Sequence, residues 1–372
     1  MESARMRMIV VGIGVVLVLF CGREVSAQLR VPPGGETVDP RGPSEVTICT
    51  QNLENYGSYE DSARRKVGLT VEDYRIKEAA LAERFRTARC DVIAVQELVG
   101  KTEAAARKAL ERLARVIQRD SGRVFDPRVA PSNDPNLRNG YLVARDRAEI
   151  VNTVSYYRVE LPKTSLRQKQ RFFSRGPFEI QLQVKPRGGG TAKNVVLVTF
   201  HFKSQGGKIA DPAGLQWETY RMEMAEALRR VVETRHASSF GSGETLLVLL
   251  GDRNSDFDMA SARVLEGTVT LKDFQGKGVC RLSKRGVPLC AAGTFAPQRL
   301  FSVLTTDPQT RHSQGTYRLK GAYSWLDEIT VPAETLRFAW SRFDSEGDYD
   351  SGVMTKPSQA SDHALAYVRL NW

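Results

Sequence analysis

Apolar runs of strand length recur along this chain, and they end alike. LLVLLGDRNSD, residues 246–256, carries its apolar residues straight into Gly251, Asp252, Asn254 and Asp256. EVTICTQN stops at Asn52, DVIAVQE at Glu97, and NVVLVTFHFKS carries His201. YSWLDEI carries Asp327, and SDHALAY opens on Asp362 and His363. A turn explains any one of these ends, because Asp and Asn favour turns through bonds to their own backbone. The set as a whole constrains the fold more tightly. Strands of layered α/β proteins bring such residues to one rim, where sites are built.

The segments between these runs supply the covering layers. EDYRIKEAALAERFRTAR reads as a helix with Leu81, Phe85 and Ala88 on one face. TEAAARKALERLARVIQR is a second helix, with Ala106, Leu110, Leu113 and Ile117 along one side. A strand-rich middle follows: GYLVAR, IVNTVSYYRV, FEIQLQVK and NVVLVTFHF, the last two joined by the hairpin-like turn PRGGGTAK. Residues from about Asp211 to His236 form a helix with Met222, Ala225, Leu228 and Val232 facing inward. YSWLDEITV and HALAYVRL are further strands, and a loop-rich basic segment lies between residues 275 and 320. Strands alternating with helices imply sheets covered by helices.

The first residues belong to export rather than to the fold. Arg5 and Arg7 precede the apolar run MIVVGIGVVLVLF, and Val25-Ser26-Ala27 offers the small residues that a signal peptidase reads. Residues 1–27 are expected to be a signal peptide, directing the chain to a periplasm or the medium, with no stable membrane span in the mature protein. Residues 28–45, rich in Pro and Gly, form a leader, and residues 46–372 a single domain. The formal charge is +11 over 372 residues and stays near about +10 after cleavage, which suits a polyanionic partner such as nucleic acid. The basic stretch KGVCRLSKRG, residues 277–286, can track a nucleic-acid backbone or simply be solvated. Cys280 and Cys290 flank a loop that a disulfide can close, Cys49 and Cys90 in or beside strand-like runs can be plain core thiols, and the sequence leaves the pairing of the four open.

Carboxylates converging with imidazoles point to metal-dependent hydrolysis. Hard cations such as Mg²⁺ take oxygen ligands, and imidazoles donate hydrogen bonds or move protons. At TQNLENYG, DVIAVQE, NVVLVTFHFKS, LLVLLGDRNSD, GTYRLKGAYSWLDEI and SDHALAYV the chain resembles the endonuclease/exonuclease/phosphatase superfamily, whose fold is deoxyribonuclease I-like. The segments occur in the family's order from about residue 46 to the C-terminus. The resemblance implies a four-layer α/β sandwich, two mixed β-sheets face to face with helices outside. It also implies roles for single residues. Asn52, Glu97 and Asp362 match metal-site positions, and Glu97 is the principal ligand. Asp252 matches the aspartate that orients or deprotonates the attacking water, and Asn254 the amide that holds the phosphate in the transition state. His201 and His363 match the two phosphate-contacting histidines, and Asp327 the acid that pairs with His363. Lys203, Arg221 and Asn139 resemble positions on the phosphate side of the cleft.

Two departures stand out. The family most often has GDFN, but here Arg253 replaces the apolar residue, so it either faces the cleft as a phosphate ligand or points outward as inert surface. The pair after SDH is Ala364-Leu365 rather than Pro-Val. The chain has four histidines; His236 and His312 lack partners that suggest chemistry. Tyr323 and Trp325 read as core or rim packing rather than a base-stacking platform, and no aromatic-rich loop of the kind a membrane-entering lipase uses is present. The expected function is a secreted phosphodiesterase dependent on Mg²⁺ or Mn²⁺, with Ca²⁺ as a further candidate, acting as a nuclease of low sequence specificity. A phospholipid diesterase of the sphingomyelinase type and a small-molecule phosphatase are the alternatives within hydrolases. A non-catalytic polyanion-binding protein is the alternative outside them.

Overall fold

The structure is a computed structural model and describes residues 46–164, 169–187, 191–206, 215–271, 296–311, 313, 315–319, 322–339 and 350–372. The expected signal peptide and leader, the Cys280–Cys290 loop, the basic stretch at 277–286, His312 and the tip of the PRGGGTAK turn lie outside the described residues. Strands run in the order β1 (Val46–Tyr56), β2 (Val92–Val99), β3 (Phe125–Val129), β4 (Leu137–Ala144), β5 (Ala148–Ser155), β6 (Phe178–Val184) and β7 (Lys193–His201). They continue with β8 (Thr245–Asp252), β9 (Leu300–Ser302), β10 (Tyr317–Leu319), β11 (Ala322–Ser324), β12 (Asp327–Pro332), β13 (Ser351–Met354) and β14 (Leu365–Leu370). The principal helices are α1 (Tyr59–Arg65), α2 (Val71–Thr87), α3 (Glu103–Ser121), α4 (Glu218–Arg235) and α5 (Ala260–Glu266).

Among the described residues the strands form two six-stranded sheets, ordered β13-β14-β1-β2-β4-β3 and β5-β6-β7-β8-β12-β9, with β10 and β11 as a separate hairpin. Both sheets are mixed: β1 runs parallel to β2 and β7 parallel to β8, while the other pairs are antiparallel. The layers follow from side-chain alternation. Ile48, Val92, Ala94, Leu246, Val248, Leu250, Ala366 and Val368 meet between the sheets. Their odd-register neighbours face the helices. Ile93, Val95 and Tyr367 pack with Leu81 and Phe85 of α2 and Leu110 and Leu113 of α3. Leu247 and Leu249 pack with Met222, Ala225, Leu228 and Val232 of α4. Strands buried on both faces need the continuous apolar runs seen in the sequence. The result is the expected helix–sheet–sheet–helix sandwich.

Local signals fix the helix ends. Thr70 and Asp73 form a reciprocal capping box at the start of α2, and Gly122 closes α3 at φ 72°. Two sequence expectations need correction. YSWLDEITV is not one strand, because side chains take over its backbone donors at Trp325 and Leu326. Trp325 N–H donates to Asp256 Oδ1 (2.7 Å), and Leu326 N–H donates to Thr316 Oγ1 (3.0 Å). Nor are Cys49 and Cys90 free thiols. They are bonded as a disulfide, with Cα atoms 5.8 Å apart, because β1 and the chain entering β2 run side by side.

Candidate active site

Strand register assembles one row of the site. His201 at the end of β7 lies opposite Asp252 at the end of β8, and Asp252 lies opposite Asp327 at the start of β12. Gly251 makes this close approach possible: its φ is 151°, and a Cβ there would collide with the carbonyl oxygen of Phe200. The second row comes from the other sheet. β1 and β2 both shift register near their ends, between Asn52 and Tyr56 and between Val95 and Leu98. Glu97 sits at this irregularity with φ 57°, a left-handed conformation that costs an L-residue about 1 kcal/mol and re-aims its side chain toward the cleft.

The two rows are wired together across the sandwich. Asn52 Nδ2 donates to Asp252 Oδ2 (2.9 Å), while its Oδ1 accepts the Glu54 N–H (2.9 Å). Glu97 Oε2 accepts the Asn55 N–H (3.0 Å), and its Oε1 stands 3.9 Å from His201 Nε2. His201 Nε2 is 3.4 Å from Asp252 Oδ2. Asn254, at φ 56°, donates its backbone N–H to Asp252 Oδ1 (2.7 Å) and its amide nitrogen to the Phe202 carbonyl (3.3 Å). His363 Nδ1 pairs with Asp327 Oδ2 at 2.8 Å, and its Nε2 lies 4.0 Å from Asp252 Oδ2. Just below, Gln96 Nε2 bridges the sheets to Thr199 Oγ1 (2.9 Å).

Electrostatics give the two imidazoles opposite roles. Burial, followed by the nearby charges of Arg175, His363 and Lys203, pushes His201 well below its ordinary value, so it is neutral. Neither of its ring nitrogens has a hydrogen-bond partner, and Nε2 is the one that faces Glu97 and Asp252. Burial also opposes charge on His363. The Asp327 charge and hydrogen bond, with Asp252 and Asp362 adding, overcome it and lift the group to about 10. His363 is therefore an imidazolium at neutral pH. Burial raises Asp252 to about 7; the His363 charge and the Asn52 bond work against that rise, and Asp327 and Glu97 add to it. Asp362, exposed at the rim, is raised by the partial desolvation of its carboxyl, opposed by the His363 charge and reinforced by Glu54 and Glu97 as like charges. Ligand atoms of Glu97, His201 and Asp252, and of Asp252, Asp327 and His363, lie within 4.8 Å of each other. Oxygen-rich donors of this kind fit a hard divalent ion.

The remaining sequence candidates are placed as follows. Lys203 is half-buried, with Nζ 5.2 Å from the Trp217 ring centre. Arg221 is fully buried; it bonds Glu218 Oε2 (2.7 Å) and the Lys203 carbonyl (3.1 Å), supporting the loop behind Lys203. Asn139 is buried and donates to the Gly176 carbonyl (2.9 Å). Arg253 takes neither expected position: it is buried outside the cleft, paired with Glu328 at 2.6 Å and donating to the Trp325 carbonyl (3.2 Å). Glu328, itself buried beside it, supplies the counter-charge that lets a guanidinium stand in the interior.

Sequence reading missed three residues here. Arg84 on α2 reaches under the site, donating to the His363 carbonyl (2.7 Å), the Thr355 carbonyl (2.6 Å) and Gln51 Oε1 (3.0 Å). The signal was present, since Arg84 falls on the Leu81–Phe85–Ala88 stripe, where a buried arginine must find acceptors. Arg175, buried in an irregular segment, donates to the Phe202 carbonyl (2.7 Å) and sets its charge against Glu97 and Asp252. Tyr317 packs its ring 4.7 Å from that of His363. No periodic pattern marks Arg175 or Tyr317.

Two mixed sheets face to face, helices outside, and acids and imidazoles gathered at one rim define the endonuclease/exonuclease/phosphatase, or deoxyribonuclease I-like, fold; this chain has that fold. Among similar solved structures is an endonuclease/exonuclease/phosphatase from Bacteroides vulgatus, 12% identical, with 88% of this chain and 98% of that chain covered at a TM-score of 0.50. Another is an endonuclease/exonuclease/phosphatase family protein from Leptotrichia buccalis, 14% identical, with 88% and 100% covered at a TM-score of 0.50. No family model and no curated protein matches the sequence.

Proposed function

We propose that the chain is an exported phosphodiesterase dependent on a divalent metal, Mg²⁺ or Mn²⁺, and that it acts as a nuclease of low sequence specificity. The observation that carries this reading is the meeting of Glu97, His201, Asp252 and Asp327, from strands of both sheets, with His363 from the segment before β14 at one rim. Glu97, bordered by Asp362, would hold the metal, which supplies Lewis-acid stabilisation of charge on a phosphoryl oxygen. Asp252, aimed by Asn52 and by the Asn254 backbone, is placed to orient and deprotonate a water. The His363 imidazolium, fixed by Asp327, faces the same space and can stabilise negative charge or deliver a proton to the leaving oxygen. Neutral His201 and the Asn254 amide offer further donors, and Arg175 adds fixed positive charge. The net charge of +11 supports a polyanionic substrate, and the basic, apolar, small-residue order of residues 5–27 supports export.

The mature protein should nick plasmid DNA or cleave RNA in Mg²⁺ or Mn²⁺ and stop in EDTA. Glu97→Ala and His363→Ala should each lower kcat by at least about 100-fold. Full activity in either variant would sink the assignment. A panel adding sphingomyelin and an aryl phosphate monoester separates the nuclease from a lipid diesterase or a phosphatase.

A further inference from the structure

A cavity of ≈ 840 Å³ opens directly beside His363 and Asp362 and is not used by the phosphoryl chemistry above. One wall is the β10–β11 hairpin. Its two strands pair Arg318 with Tyr323, so both side chains leave the hairpin on the same face, and the guanidinium lies 5.5 Å from the centre of the phenol ring. Both residues line the cavity. Tyr323 is 38% exposed, unlike the core aromatics, and Arg318 is exposed as well. The opposite wall comes from Thr87 at the end of α2 and from Lys356 and Ser358 in the turn before His363. The hairpin is held against the catalytic segment through its backbone. Ala364 N–H donates to the Thr316 carbonyl (2.6 Å), and Arg318 N–H donates to the Asp362 carbonyl (3.3 Å). The hairpin wall is thus fixed relative to His363.

We infer that this cavity is the subsite for a nucleobase next to the scissile phosphate, with Arg318 and Tyr323 as its stacking platform. The inference rests on the phosphodiesterase reading and assigns the substrate class of that site. A guanidinium 5.5 Å from the centre of a phenol ring, both exposed to the cavity, offers a polarisable surface bearing positive charge, which matches the π-face of a base. An acyl chain gains nothing from the guanidinium, and a saturated sugar ring has no π-face to offer it. The volume lies in the range of small-molecule sites and admits a nucleoside. Thr87 and Ser358 supply hydroxyls for sugar and base edges, and Lys356 a charge for a neighbouring phosphate. Sequence reading took Tyr323 and Trp325 as core or rim packing rather than a base-stacking platform; Trp325 does pack against the inter-sheet core, whereas Tyr323 is exposed and lines the cavity.

The test compares cleavage of thymidylyl-thymidine with that of analogues in which one or both bases are replaced by hydrogen, so that the scissile diester stays the same. The wild-type chain should cleave the dinucleotide at least about fivefold more efficiently than the doubly abasic analogue. Arg318→Ala and Tyr323→Ala should remove that preference, chiefly through KM, and leave the abasic rate unchanged, while Tyr323→Phe should retain it. Equal efficiency on all analogues, or a parallel loss on every substrate, overturns the subsite. Calorimetric titration of thymidine monophosphate in EDTA reads the cavity without turnover. Binding that both alanine variants weaken supports the subsite even in a chain that cleaves no diester, in which case only the hydrolase reading falls. No binding, or binding indifferent to both substitutions, overturns it.

Discussion

His363 carries the sharpest expectation at the scale of single residues. Its imidazole titrates near 10 in the folded chain against an ordinary 6.5. A raised basic group stabilises the fold fully below its unfolded value, and that contribution fades as pH climbs from about 6.5 toward 10. In Asp327→Asn the carboxylate charge is gone and burial, which opposes the imidazolium, prevails. Nitrogen NMR should then show His363 neutral at pH 8 in the variant and protonated in the parent; an unchanged titration would refute the pairing as the cause. The residue types were legible in the sequence: Asn52, Glu97, His201, Asp252, Asp327 and His363 all stand at ends of apolar runs. Their charge states were not. Whether an imidazole is neutral, as His201 is, or charged, as His363 is, depends on which side chain lies within about 3 Å, and that neighbour comes from another strand.

Among the elements, β8 bears most on the site. Gly251 lets β7 and β8 close up immediately before Asp252, at a φ that L-residues avoid. Gly251→Ala should destabilise the chain by about 1–3 kcal/mol or more and also displace Asp252. A displacement near 1 Å can cost on the order of 100-fold in rate. Denaturant melts and kcat measured together test both; a variant of parental stability would show that the backbone contact is not tight. The Cys49–Cys90 bond ties β1 to the entry of β2 across a separation of 41 residues. Replacing both cysteines by alanine should lower unfolding free energy by about 2–5 kcal/mol, read as a lower denaturant midpoint. The long strands and the helices α2, α3 and α4 were legible from apolar period; β3, β9, β10 and β13, short and without such a period, were not. The break in YSWLDEITV was not, because its cause is Thr316 and Asp256 reaching in from elsewhere.

Across the whole molecule, positive charge and a rim of acids coexist. A chain of net charge +11 that binds nucleic acid should lose affinity steeply with salt, because each neutralised phosphate releases counterions. A log–log plot of KM for single-stranded DNA against salt should have a slope of several units; a flat plot would remove charge from the argument for nucleic acid. No helix among the described residues is long and apolar enough to cross a membrane. The sequence by itself determined that sheets are covered by helices, since strands with both faces apolar must lie between other layers and the intervening amphipathic helices must cover them, and the motif resemblance added that the sheets are two. It also determined which reactive residue types stand at the strand ends. Tertiary structure alone decided the rest: the buried pairing of Arg253 with Glu328, the reach of Arg84 to His363, the disulfide, and the Arg318–Tyr323 face beside the site. The physical reason is range. Periodicity records how a residue relates to its own element, whereas charge, partner and exposure are set by atoms tens or hundreds of positions away along the chain.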